Sequence, residues 1–252
     1  MKKIEKFFLV IIHFDQKKGK VQAVMVSVFL YAPNVIGYFR VAFLIASLFF
    51  LQKGPEVFVV LYAVSYILDC VDGPVARAMG QTSKFGAVFD MVTDRSSTAL
   101  LLATSAGCYP LFAPIFLSLI LLDISAHWMQ MYSSLVSGKT SHKDANLDHS
   151  PLLRLYYKNR KFMGLLCVSA ELYNLLVFLG KNTKLHFVKV DLASHVLGGF
   201  LPFGLSKLGL NDLQIASFVV LPLFLTKHLT SVLQFYYSAQ ALATLDTKKK
   251  EN

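Results

Sequence analysis

The sequence predicts an all-α integral membrane protein: six transmembrane helices, preceded by an amphipathic helix on the cytosolic surface. Three observations predict it. Of 252 residues, 55% are hydrophobic and only 16% are charged, against roughly 25% charged in a soluble domain. The apolar residues gather into runs close to the ~20 residues of helix that a bilayer core about 30 Å thick requires. The net charge of +10 collects at one end of those runs, which makes an anionic membrane surface a better neighbour than nucleic acid. Such a composition excludes an ordinary soluble enzyme, a disordered tail and a nucleic-acid module.

Residues 1–32 form an N-terminal extension. Met1-Lys2-Lys3 and the apolar Phe7–Ile12 have the outline of a signal peptide. Asp15-Gln16-Lys17-Lys18 follows without a small-residue cleavage site, so an interfacial amphipathic helix is the reading adopted. A membrane domain follows over 33–242. Its first span runs over about 35–51 and stops at Gln52-Lys53-Gly54-Pro55. The second covers about 57–79, the third 85–103, the fourth 111–136, the fifth 162–179, and the last lies within 213–239. Segment 185–210 is apolar but interrupted by Gly and Pro, as an interfacial or re-entrant piece would be. A basic tail, 243–252, closes the chain.

Six lysines between Lys2 and Lys20, six basic residues between Lys139 and Lys161, Arg77, Lys84 and Lys248-Lys249-Lys250 all fall on one side of this arrangement. Lys53, Lys181, Lys184, Lys189 and Lys207 fall on the other. The positive-inside rule then places both termini in the cytosol. Lys249 and Lys250, fourth and third from the end, resemble a dilysine retrieval signal of the endoplasmic reticulum. Cys70, Cys108 and Cys167 have no metal-site or disulfide spacing and read as small apolar fillers.

Ionisable residues inside a span cost roughly 2.5–3.5 kcal/mol each on insertion scales and mark function by default. Spans two and three hold four carboxylates. Asp69 and Asp72 share a helical face, and so do Gly86, Asp90 and Asp94. Counted outward from a turn near Thr82, the two sets lie at matching depths, on the order of 12–20 Å from the turn. An antiparallel hairpin aims them at one another below the cytosolic surface. Four like charges in low dielectric are either partly protonated or held by hard divalent cations such as Mg²⁺ or Mn²⁺. Gly73 and Gly86 let a ligand approach the backbone, and Arg77 offers a fork to phosphate oxygens. The set fits a nucleoside diphosphate group. Asp123, Glu171 and Lys227 are also intramembrane, and pairing between helices is their expected role.

The run Asp69-x₂-Asp72-Gly73-x₂-Ala76-Arg77-x₈-Gly86-x₃-Asp90-x₃-Asp94 resembles the signature of the CDP-alcohol phosphatidyltransferases. That resemblance implies a CDP-alcohol phosphotransferase fold, Asp69, Asp72 and Asp90 as metal ligands, Asp94 as general base, and a CDP site lined by Gly73, Ala76, Arg77 and Gly86. Further stretches, including Tyr31-Ala32-Pro33-Asn34 with Arg40, Asp90-Met91-Val92-Thr93-Asp94-Arg95, Ser141-His142-Lys143 and Leu153-Arg154-Leu155-Tyr156-Tyr157, resemble the eukaryotic phosphatidylinositol synthases of that family. They imply Asn34 and Arg40 at the CDP-diacylglycerol site, and Lys143 and Arg154 as candidates for inositol and phosphate. The implied reaction transfers the phosphatidyl group of CDP-diacylglycerol to myo-inositol and releases CMP, in a homodimer of the endoplasmic reticulum membrane. Glycerol phosphate or serine as acceptor is the nearest alternative. An ion or proton transporter using the acidic hairpin is a different class, and it has no need of Gly73, Ala76, Arg77 and Gly86.

Overall fold

The computed structural model describes residues 12–15, 20–23, 27–137, 150–182 and 212–251. Near the N-terminus, β1 (Ile12–Asp15) and β2 (Lys20–Ala23) pair antiparallel, Ile12 opposite Ala23 and Asp15 opposite Lys20. These eight residues are extended rather than helical, a backbone that Ile12, Phe14 and Val21 favour, and the rest of the expected amphipathic helix lies outside the described residues. Residues 1–11, segment 185–210 and Lys143 lie outside the described residues.

Among the described residues seven α-helices follow: α1 (Ala32–Leu48), α2 (Pro55–Ala78), α3 (Lys84–Cys108), α4 (Ala113–Val136), α5 (Pro151–Lys158), α6 (Arg160–Asn182) and α7 (Asp212–Glu251). Each of the six expected spans coincides with a helix. Pro33, Pro55, Pro114 and Pro151 sit in the first turns of α1, α2, α4 and α5, where the missing N–H costs nothing and the fixed φ suits a helix. Among the described residues four segments are long and apolar enough to cross a membrane: Pro55–Ala78, Pro110–Val136, Arg160–Asn182 and Asp212–Thr247. Ala32–Leu48 is a shorter apolar helix. Helix α7 passes through the boundary expected at residue 243 without a break. Cys70 is exposed rather than packed as a filler, and Cys108 accepts a hydrogen bond from Asn182 Nδ2 at 3.0 Å.

The chain divides into two compact units, Met1–Ser96 and Ser97–Asn252. In the first, α1 and α2 run antiparallel. The Ala32 N–H donates to Gln81 Oε1 at 2.8 Å near one end, and Ser65 Oγ donates to the Arg40 carbonyl at 3.1 Å further along. Helix α3 runs parallel to α1, Asn34 facing Gly86 and Gly37 facing Phe89. The α2–α3 turn is closed by two bonds, Gln81 N–H to the Ala76 carbonyl at 2.9 Å and Gly80 N–H to the Arg77 carbonyl at 3.4 Å. Gly80, at φ +62°, occupies the left-handed position this cap requires. Ser83 Oγ then accepts the Gly86 N–H at 2.9 Å and caps α3.

In the second unit, the C-terminal part of α3 runs parallel to α6. Thr98 donates to Glu171 Oε1 at 2.7 Å, Ser105 to Asn174 Oδ1 at 3.4 Å, and Tyr109 to the Val177 carbonyl at 3.2 Å. Leu102, Phe116, Val177 and Phe224 form the apolar core, with Tyr173 stacked on Phe224 at 4.1 Å. Helices α4 and α7 run parallel along a buried polar seam. At one level Lys227 Nζ lies 3.8 Å from Asp123 Oδ1 and donates to Ser231 Oγ at 3.1 Å. At the next, Gln130 and Gln234 both donate to the Tyr157 hydroxyl, Gln234 from 2.7 Å. Burial pushes the Tyr157 phenol up to about 12, so it stays protonated.

The three intramembrane ionisable residues whose partners the sequence leaves open are thereby assigned: Asp123 to Lys227, and Glu171 to Thr98. His127 is turned back onto its own helix, Nδ1 2.8 Å from the Asp123 carbonyl, while Trp128 is 66% exposed. Removing one member of a buried ion pair strands the other. Lys227→Met is expected to lower stability by roughly 3 kcal/mol, and Asp123→Asn added to it should recover most of that loss. Thermal unfolding of both variants in detergent micelles checks this.

Candidate active site

Helix α2 presents Asp69 and Asp72 one turn apart, and α3 presents Asp90 and Asp94 one turn apart. The capped turn between them makes the hairpin antiparallel, so the four carboxylates converge as the spacing predicts. At their centre lies a group whose position the spacing does not reveal, the Arg40 guanidinium from α1. Nη1 lies 3.0 Å from Asp72 Oδ2 and 2.8 Å from Asp90 Oδ1. Nη2 lies 2.6 Å from both Asp69 Oδ1 and Asp94 Oδ1. Arg40 is 2% exposed. Nη1 donates hydrogen bonds to Asp72 and Asp90 and Nη2 donates to Asp94, while Asp69 is held as an ion pair, and the buried Nε has no hydrogen-bond partner among the described residues.

With every group ionised, one guanidinium against four carboxylates leaves a formal charge of −3. Each of Asp69, Asp72 and Asp90 offers an oxygen within 4.8 Å of the other two. Closely spaced carboxylate oxygens with surplus negative charge suit a hard divalent cation such as Mg²⁺ or Mn²⁺, so this donor set fits the expected metal. The Asp72 side chain is 11% exposed and that of Asp90 47%, so the cluster opens on its α3 side.

A cleft of about 170 Å³ adjoins the cluster, lined among others by Asn34, Arg40, Gly73, Ala76, Arg77 and Gly86. The structure thus brings together all the residues expected at a CDP site. Their roles in packing differ. A Cβ on Gly73 would meet only the end of the Arg77 side chain, Nη1 at 3.4 Å, so Gly73 leaves its space to whatever fills the cleft. A Cβ on Gly86 would lie 2.8 Å from Asn34 Oδ1 and 3.0 Å from Ser83 Oγ, so Gly86 is needed for α1 and α3 to approach. Asn34 is itself locked, Nδ2 donating to the Val28 carbonyl at 2.5 Å. Arg154 lies exposed on α5 in the second unit, and Lys143 is outside the described residues.

Gly37, Gln81 and Ser83 were not singled out by sequence reasoning. A Cβ on Gly37 would lie 2.6 Å from Phe89 Cε1, while Gln81 ties the α2–α3 turn to the start of α1. The signal for Arg40 was present: an arginine inside an apolar helix needs an anionic partner, and spans two and three carry the acidic hairpin.

Apolar helices, a carboxylate cluster suited to hard cations and an arginine-lined cleft define a membrane protein built to hold a phosphorylated ligand. Residues 30–149 match the family model of CDP-alcohol phosphatidyltransferase. The chain is 46% identical over 179 residues to CDP-diacylglycerol–inositol 3-phosphatidyltransferase 1 of Arabidopsis thaliana, covering 71% of this chain and 78% of that protein. It is 38% identical over 223 residues to the Homo sapiens CDP-diacylglycerol–inositol 3-phosphatidyltransferase, covering 87% and 94% of the two chains. To the Schizosaccharomyces pombe protein of that name it is 34% identical over 229 residues, covering 89% and 93%. No solved structure matches. The chain belongs to the CDP-alcohol phosphatidyltransferase family, and is a transferase of phosphate groups.

The glycines separate packing from ligand space. Gly37→Ala and Gly86→Ala are each expected to lower stability by about 1–3 kcal/mol through overpacking. Gly73→Ala should leave the melting temperature within about 1 °C of the parent and weaken nucleotide binding instead. Thermal unfolding with and without CDP checks all three.

Proposed function

We propose that this chain is a phosphatidylinositol synthase, transferring the phosphatidyl group of CDP-diacylglycerol to myo-inositol with release of CMP. The observation that carries the reading is the name shared by relatives that align over 87% and 89% of its length. The convergence of Asp69, Asp72, Asp90 and Asp94 beside a cleft holding Gly73 and Arg77 supports it.

In this reading Asp69, Asp72 and Asp90 hold Mg²⁺ or Mn²⁺, which supplies neutralisation of the pyrophosphate and of the departing CMP. Arg77 binds phosphate oxygens, and the space above Gly73 takes the nucleotide. Asp94 accepts the proton of an inositol hydroxyl as that oxygen attacks the lipid-side phosphorus. The new O–P bond replaces the bond to the CMP phosphate, which leaves with the electron pair. Positioning and charge stabilisation supply most of the acceleration in such transfers. Arg154 and Lys143 remain candidates for the inositol and phosphate contacts.

The same reading takes all six long helices as spans, with both termini and the acidic hairpin facing the cytosol. The helix directions agree with it, because consecutive crossings must alternate: α1 and α3 run parallel in the first unit, α4 and α7 in the second. The basic residues gathered at one end support that orientation, and residence in the endoplasmic reticulum membrane is part of the same reading. A homodimer is the assembly the family implies.

The test incubates purified protein with CDP-diacylglycerol, Mn²⁺ and labelled myo-inositol, serine or glycerol phosphate. Labelled lipid is expected from inositol alone, and product from serine or glycerol phosphate instead would reassign the acceptor. Asp94→Asn should cost 10²–10⁴-fold in turnover, the usual range for a general base, while keeping metal-dependent CDP binding. Asp69→Asn should weaken metal and CDP binding together, as read by calorimetry.

A further inference from the structure

We propose that Arg40 is the resident counter-cation of the aspartate cluster, an exchanging group that yields the carboxylates on metal loading and then turns to the phosphates in the cleft. The inference rests on the reading of Asp69, Asp72 and Asp90 as metal ligands. It adds the order in which the site assembles.

Four carboxylates this close cannot remain ionised together without a cation. In this structure the cation is a side chain: Arg40 Nη1 donates to Asp72 at 3.0 Å and Asp90 at 2.8 Å, and Nη2 donates to Asp94 at 2.6 Å and lies 2.6 Å from Asp69 Oδ1 as an ion pair. Its Nε is buried without a partner, so the guanidinium is held only through the bonds that metal loading would contest. Three of the four carboxylates it engages are the proposed ligands, and a fixed positive charge among them opposes any divalent cation there. The fourth is Asp94. Its Oδ1 receives Nη2 at 2.6 Å, and its Oδ2 faces Arg95 Nη2 at 3.8 Å. The oxygen nearest to Arg40 is therefore engaged by the guanidinium until it leaves.

Arg40 has somewhere to go, since it lines the same cleft as Arg77 and Gly73. A short rotation of its end exchanges carboxylate oxygens for the oxygens of a pyrophosphate, which match the guanidinium fork equally well. Loading with metal and binding of a nucleoside diphosphate thus release Asp94 Oδ1 in the same event.

Two measurements test this without an activity readout, using Mn²⁺ alone as the probe. In the unaltered protein, modification of Arg40 by phenylglyoxal, followed by peptide mass spectrometry, should be negligible in chelator and rise several-fold with Mn²⁺. In Arg40→Gln the unliganded protein should melt lower than the parent. The Mn²⁺ concentration for half-maximal thermal stabilisation should fall about tenfold, since a competing charge is removed. A midpoint that rises or stays unchanged in Arg40→Gln, or Arg40 labelling unaffected by Mn²⁺, overturns the proposal and leaves the metal site standing. If Arg40→Gln does not fold, the labelling of the unaltered protein decides alone. No thermal response to Mn²⁺ in the unaltered protein overturns the metal reading itself, and the exchange with it.

Discussion

Between α1, α2 and α3 a single guanidinium faces four carboxylates, and the geometry of the first unit follows from making that meeting possible. Arg40 has to reach the acidic hairpin from a third helix, so α1 must run close to α3. Gly37 and Gly86 permit the approach, since side chains at either position would meet Phe89 or Asn34. The hairpin must also hold its two pairs of aspartates at one depth. The left-handed Gly80, the Ala76 and Arg77 carbonyls and the Ser83 cap do so by stopping α2 and starting α3 within five residues. Gln81 binds that turn to the first residue of α1. Capping, close packing and charge pairing therefore serve the same end.

A membrane location explains why many buried polar side chains elsewhere find a partner on another helix. In a bilayer a buried polar group has no water to return to. The second unit answers with interhelical bonds at successive levels, Thr98 to Glu171, Ser105 to Asn174 and Tyr109 to the Val177 carbonyl on one side, Asp123 to Lys227 and Gln130 and Gln234 to Tyr157 on the other. These bonds also set which helices run parallel, because each side chain finds its partner in only one direction and register.

For the proposed chemistry, the consequence of the carboxylate cluster is that charge balance and reactivity are linked. A guanidinium that satisfies Asp69, Asp72 and Asp90 also occupies Asp94. Under the proposed exchange, release of Asp94 Oδ1 is tied to metal loading, because one guanidinium engages both Asp94 and the proposed ligands. The cost is a competitor built into the metal site, which a second cationic side chain in the cleft, Arg77, does not share, since it lies at the exposed end of α2.

The helical character of the apolar runs and the convergence of the four aspartates in a hairpin were legible in the sequence because they depend on local rules. Apolar runs of bilayer length make helices in any context, and aspartates at spacings of three and four share a face wherever the helix lies. The family signature added their roles as expectations. The N-terminal pair of strands was not legible, since a short amphipathic segment with β-branched residues satisfies helix and strand alike and only pairing across the reversal decides. Nor were the partners of Asp123, Glu171 and Lys227, nor the place of Arg40, since each depends on which helices pack together and in what register. Spacing along one chain places a side chain on a face. Only the neighbour that the fold brings to that face decides whether it packs, pairs or binds.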